Sequence, residues 1–232
     1  ALRDLRPLPT ASTLSTRLNQ ASLRLLLEPV MAAARERLPV TMLKSLDAKP
    51  LPVGPWSKDI DAAWGRAAHA KAKGYKLFAA YDGPAVRGWR IGPMNRPEPE
   101  EATSLIPGVA VKPGYLLGDS LYDTNALHEA ARTHGLQLVT PRKKPGTGLG
   151  HRRHDPGRLR SIDLLEGPGG FGRALYKQRL SIEQRFAQSG NLACGLSPLP
   201  NWVRRPHRVA LWVFGKLLLL TCWNSRKQGV TA

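Results

Sequence analysis

Cysteine is nearly absent from the chain: Cys194 and Cys222 are the two in 232 residues. No further Cys and no paired-His spacing completes a zinc site, so neither a disulfide framework nor a zinc module is expected and the chain reads as cytoplasmic and reduced. Acidic residues are also scarce, 17 Asp and Glu against 35 Lys and Arg, which leaves a formal charge of +18. That surplus creates a strong field for a polyanion and makes nucleic acid the leading partner class, ahead of an anionic membrane surface. A purely architectural or ribosomal-type protein would carry the same charge, so composition does not separate an enzyme from a binder. Long apolar runs are missing too. The most apolar segment, "VALWVFGKLLLLTCW" at 209–223, contains Lys216 and is too short to span a bilayer, so no membrane association is expected and a buried helix is. What is present is a hydrophobic fraction of 42%, enough for a core in one large domain or a domain with a small appendage.

Residues 11–38 show Leu14, Leu18, Leu23, Leu26 and Leu27 near helical spacing, and two short helices are predicted, interrupted at Pro29. The stretch "VTMLKSLDAKPLPV" (40–53) alternates up to Asp47 and reads as a strand; residues 54–73 read as a basic loop. "GYKLFAAYD" (74–82) and "AVRGWRIGP" (85–93) predict two more strands around a turn at Asp82-Gly83-Pro84. After an acidic, Pro-rich connector, "GYLLGDSLYD" (114–123) reads as a strand ending at Asp119, followed by a helix over about 123–134 and a strand at 136–142. A meander of three strands and then a β–α–β unit predict an α/β fold with a mixed five-stranded sheet flanked by helices. The expected division is an N-terminal helical segment (1–39), a main domain (40–225) with a flexible basic insertion at about 143–172, and a tail (226–232).

Asp47 and Asp119 fall at strand ends and Glu183 on a helix beyond the insertion. Strand ends of an open α/β sheet converge on one rim. Three carboxylates gathered there repel one another unless divalent cations neutralise them, and oxygen donors suit Mg²⁺ or Mn²⁺. With 17 acids in the chain, spacing alone leaves other triplets open. Asp82 and Asp123 read as turn and helix-capping residues. On a continuous helix Tyr176, Arg179 and Glu183 of "LYKQRLSIEQRF" (175–186) share a sector of roughly 60°, with a local Arg–Glu surface pair as the alternative reading.

Four blocks in order resemble the bacterial insertion-sequence transposases with a ribonuclease H-like DDE catalytic domain: "LDAKPLPV", "GYKLFAAYDG", "LLGDSLYD" and "YKQRLSIEQRF". The last is similar to that family's Tyr-x2-Arg-x3-Glu-x6-Lys signature, and the trailing "VRRPHRVALWVFGKLLL" to its closing basic segment and helix. The resemblance covers roughly residues 40–220. It implies that Asp47, Asp119 and Glu183 are catalytic and hold two Mg²⁺ or Mn²⁺ ions, and that Tyr176 and Arg179 contact the DNA backbone. It further implies cleavage and strand transfer of transposon ends into target DNA, by a homodimer on DNA associated with the nucleoid. The signature's Lys would fall at Gly190, with Arg185 as a neighbouring substitute, and Lys49 stands where many members have a small hydroxyl residue. A non-catalytic DNA-binding remnant and a ribonuclease H-type nuclease are the alternatives.

The basic insertion offers Arg142, Lys143, Lys144, Arg152 and Arg153 as flexible cations for phosphates, against a solvated charge run. "GPGGFG" (167–172) reads as a hinge, since no strand precedes it and no Gly-Lys-Ser/Thr ending follows. Trp56, Trp64 and Trp89 are expected to pack, with base stacking as the alternative, and Trp202, Trp212 and Trp223 are assigned to packing around the last helix.

Overall fold

The structure, a computed structural model, describes residues 10–18, 20–67, 70–151, 153–191 and 195–230. Strand β1 (Leu43–Pro52) pairs antiparallel with β3 (Lys71–Asp82), which turns through Gly83 and Pro84 into β4 (Ala85–Pro93). The tight turn requires a positive φ, which Gly83 supplies at +53°. On the other edge of β1, β5 (Gly114–Leu117) pairs in parallel, and β6 (Leu136–Val139) pairs in parallel with β5 after helix α4 (Asn125–Thr133). This is the expected meander followed by a β–α–β unit. A sixth strand corrects the expected five: β2 (Ala63–Arg66), inside the stretch read as loop, pairs with β3 from Gly74 to Lys71, while β4 takes the rest of β3. Four residues are too few to display a period.

Alternation along β3 divides the interior. Tyr75, Leu77, Ala79 and Tyr81 join Met31, Ile182, Phe186, Val213 and Leu217 from α2 (Ala21–Glu36), α7 (Leu180–Asn191) and α8 (Pro206–Val230). Phe78 and Ala80 join Leu46, Ile106, Leu116 and Leu127 on the opposite face, under α3 (Glu98–Val109) and α4. Both faces of the sheet are therefore covered, which is why β3 reads as a nearly continuous apolar run.

Several expectations change. Pro29 does not interrupt the N-terminal helices; it lies inside α2, and the break falls after α1 (Ala11–Leu18). Burial of Met31 and Ala34 on the next turn offsets the hydrogen bond that proline removes. The acidic, Pro-rich connector is helix α3. Pro97 caps it, Pro99 sits in the first turn where a missing N–H costs nothing, and Glu98, Glu100 and Glu101 face the positive end of the helix dipole. Within the insertion, α5 (Pro156–Glu166) starts at Asp155, whose Oδ1 accepts the Gly157 N–H at 2.7 Å. "GPGGFG" joins α5 to α6 (Phe171–Lys177).

Residues 175–186 are not one continuous helix either. The α6 helix ends at Lys177 and α7 begins at Leu180. The Arg179, Ser181 and Ile182 N–H groups bond to carbonyls three residues back, a tightening of the turn that rotates α7 against α6. Asp82 and Asp123 do more than turn and cap. Asp82 is fully buried and accepts both the N–H and the hydroxyl of Thr41, while Thr124 is the residue that caps α4. Of the tryptophans, Trp89 stacks on Phe214 and Trp202 meets Trp212 edge to face, but Trp56 is 93% exposed, Trp202 61%, Trp64 55% and Trp223 49%, against the packing expected of them. No helix among the described residues is long and apolar enough to cross a membrane.

Candidate active site

Two strands of unequal length create the opening. β1 runs for 10 residues, yet β5 pairs with it only from Leu43↔Tyr115 to Ser45↔Leu117. Continuing this parallel register sets Asp119 level with Asp47, just past the end of β5. Asp119 caps a short 3₁₀ turn (Ser120–Tyr122), its Oδ1 accepting the Leu121 N–H at 2.8 Å. Asp47 Oδ1 accepts the Ala48 N–H at 2.9 Å. Burial pushes the Asp47 carboxyl up to about 6; Asp119 and Glu98 add to the rise, while the Ala48 N–H and Arg179 oppose it.

Glu98, in the first turn of α3, is the residue that sequence reasoning missed. Asp47, Glu98 and Asp119 each present a carboxylate oxygen, all within 4.8 Å of one another. Hard oxygen donors at this spacing suit Mg²⁺ or Mn²⁺. Lys76 Nζ on β3 lies 2.9 Å from Glu98 Oε1, and the buried Tyr122 hydroxyl also hydrogen-bonds Glu98. The Tyr122 phenol is held well above its ordinary value by burial, then by the nearby charges of Glu98, Asp47 and Asp119. The signal available in sequence was the helix start around Pro97 with its run of acids.

The α6–α7 turn approaches from the other side. Arg179 lies between two carboxylates, Nη1 at 3.3 Å from Glu183 Oε1 and Nη2 at 3.8 Å from Asp47 Oδ2. Its Nε is buried without a hydrogen-bond partner. Glu183 has a side chain 55% exposed and is joined to Asp47 through Arg179; it is not among the three gathered carboxylates. Burial raises the Tyr176 phenol above its ordinary value; Arg179 opposes this, and Asp119, Asp47 and Glu183 add to it, so Tyr176 lies within the field of the same cluster. Lys49, two residues after Asp47, sits over the Phe186 ring at 5.8 Å.

The insertion cations divide by partner. Arg142 folds back onto α5, with Nε at 2.5 Å and Nη2 at 2.6 Å from Glu166, and donates to the Thr147 carbonyl. Lys143, Lys144 and Arg153 are exposed. Arg152 and Cys194 lie outside the described residues, and Arg185 and Gly190 are placed here only as positions on α7. The insertion is anchored beside the site by Arg158, which grips the buried Asp123 carboxylate with Nε and Nη2 at 2.6 and 2.8 Å. Burial would raise the Asp123 carboxyl, but Arg158, His128 and the Lys143 N–H hold it well below the usual carboxylate range.

The family described as the transposase DDE domain matches residues 41–222. No curated protein matches the chain in sequence. Among solved structures, the fold is similar to a piggyBac transposase in a synaptic complex with hairpin DNA, with a TM-score of 0.51 at 12% identity, over 93% of this chain and 52% of that one. The chain thus spans about half the length of that relative. The Mos1 mariner paired-end complex with Mn matches at a TM-score of 0.31 and 12% identity, over 99% of this chain and 66% of that one.

Proposed function

Because the chain belongs to the transposase DDE-domain family, we propose that it cleaves DNA strands at the ends of an insertion sequence and transfers the freed 3′ ends to target DNA. The observation that carries this reading is the meeting of Asp47 and Asp119 past the end of β5, with Arg179 of the α6–α7 turn 3.8 Å from Asp47. Asp47, Asp119 and Glu183 are the residues that would hold two Mg²⁺ or Mn²⁺ ions. When bound, such ions supply Lewis acidity at the attacked phosphodiester and stabilise the charge that develops on its oxygens.

The chain's own groups bind and orient the DNA. Arg179 would release Glu183 and turn its guanidinium toward a backbone phosphate, a fork suited to two oxygens at once. The Tyr176 hydroxyl, kept protonated, donates to the same backbone. Lys143, Lys144 and Arg153, with Arg142, Arg152 and Arg185, supply sequence-independent phosphate contacts that position the duplex. The +18 charge favours capture of both the transposon end and the target. A homodimer would hold paired ends, and the working location is the nucleoid.

The test is a strand-joining assay. Purified protein with Mg²⁺ or Mn²⁺ is given duplex DNA carrying an insertion-sequence end, and nicked and joined products are resolved on a denaturing gel. Both products are expected. Binding without nicking would select a non-catalytic remnant, and cleavage of RNA–DNA hybrids with no joining would select a nuclease.

A further inference from the structure

The first turn of α3 brings a fourth acidic side chain to this site, and we infer that Glu98 is a ligand for the divalent cation, binding it together with Asp47 and Asp119 before any DNA is present. The inference rests on the reading of Asp47 and Asp119 as metal-holding residues.

Three observations carry it. The three carboxylate oxygens already lie within 4.8 Å of one another, so only small side-chain adjustments separate them from a shared ion. Glu183, by contrast, is held by Arg179, and must leave that contact before it can join. The charge balance is the second observation. Asp47, Glu98, Asp119 and Glu183 are matched by the two cations paired with them, Lys76 and Arg179, which leaves a surplus of two negative charges, that of one divalent ion. The third is the placement of Glu98 itself. Its side chain is 14% exposed and bonded by Lys76 and the Tyr122 hydroxyl, so its carboxylate is fixed in position rather than free in solvent. The Tyr122 bond orients the carboxylate as a metal ligand needs to be, while Lys76 neutralises it until an ion arrives.

Lys76 then has a defined role. Its ammonium occupies the Glu98 oxygen in competition with the ion, a counter-charge that keeps the metal-free cluster from repelling itself apart.

The experiment is calorimetric titration of Mn²⁺ into the full chain without DNA, comparing wild type with Glu98→Gln, Asp119→Asn and Lys76→Met. Glu98→Gln and Asp119→Asn are each expected to weaken Mn²⁺ binding at least about tenfold, in the range seen when a metal site loses a supporting group. Lys76→Met is expected to tighten it, which a merely misfolded variant would not do. Loss of binding in Asp119→Asn with wild-type binding in Glu98→Gln would overturn the role of Glu98 while leaving the site reading intact. Wild-type binding in Asp119→Asn would overturn both. Should Glu98→Gln fail to fold by circular dichroism, Lys76→Met decides, and unchanged affinity there overturns the inference.

Discussion

Arg179 Nη2 stands 3.8 Å from Asp47 Oδ2, and this contact ties the α6–α7 turn to the strand that carries the first acid of the site. The guanidinium lowers the pKa of a carboxyl that burial has pushed up to about 6. Removing it should let the carboxyl rise further. In Arg179→Met, the Asp47 side-chain carbon signal, followed by NMR in chelator, is expected to titrate above about 6. A titration unchanged from wild type would mean that the contact is not formed in solution.

Asp47 also makes stability depend on pH. A carboxyl whose pKa is higher in the folded state stabilises the fold fully below the unfolded value, near 3.8, and this contribution is lost as pH rises through about 6. The loss for the metal-free protein is on the order of 3 kcal/mol between acid and neutral pH. Asp47→Asn is therefore expected to melt above wild type at pH 7.5 in chelator, with the gap closing toward pH 4. Equal melting temperatures across that range would contradict the burial of an ionised Asp47.

The insertion depends on a second buried pair. Asp123 is 2% exposed at its carboxylate and Arg158 is 16% exposed at its side chain. Arg158→Met leaves Asp123 buried without its main partner, an arrangement that costs about 3–5 kcal/mol. Urea denaturation should show that loss at neutral pH. A change below about 1 kcal/mol would place the pair in the class of exposed surface bridges instead.

Gly172 sets the junction between α5 and α6. A Cβ built there falls 1.9 Å from the Leu164 carbonyl oxygen, so Gly172→Ala must push α6 away from α5. An expected loss of about 1–3 kcal/mol follows from such overpacking. Because α6 carries Tyr176, DNA cleavage should fall as well, and both effects are read on one preparation.

Asp119 was legible because it follows the short strand that opens a β–α–β unit, and Asp47 because the alternation leading up to it marks β1; but Asp47 lies in the middle of that 10-residue strand, not at its end as expected, and meets Asp119 because β5 stops short beside it. Glu98 was not legible. Its neighbours Pro97, Pro99 and Pro107-Gly108 are chain breakers in most settings, yet here two of the prolines lie at a helix start and Pro107 lies near the end, where little is lost. Its approach to Asp47 is set by how α3 lies across β3 and β4, a tertiary relationship with no local signature. The Tyr176, Arg179 and Glu183 grouping was read from a continuous helix wheel. The turn at 178–179 breaks that wheel, so Arg179 reaches Asp47 while still pairing with Glu183. Strand β2 was hidden by its length, and α5 by the Gly, Arg and His around it.

Asp47 and Asp119, joined by Glu183 once Arg179 releases it, are expected to drive DNA strand cleavage. The most direct measurement is Mg²⁺-dependent nicking of an insertion-sequence end by wild type, Asp119→Asn and Glu183→Gln, with end-DNA affinity measured in parallel at fixed salt. Both variants are expected to lose nicking to background while binding the DNA within a few-fold of wild type. Near-wild-type nicking by either variant would contradict that expectation.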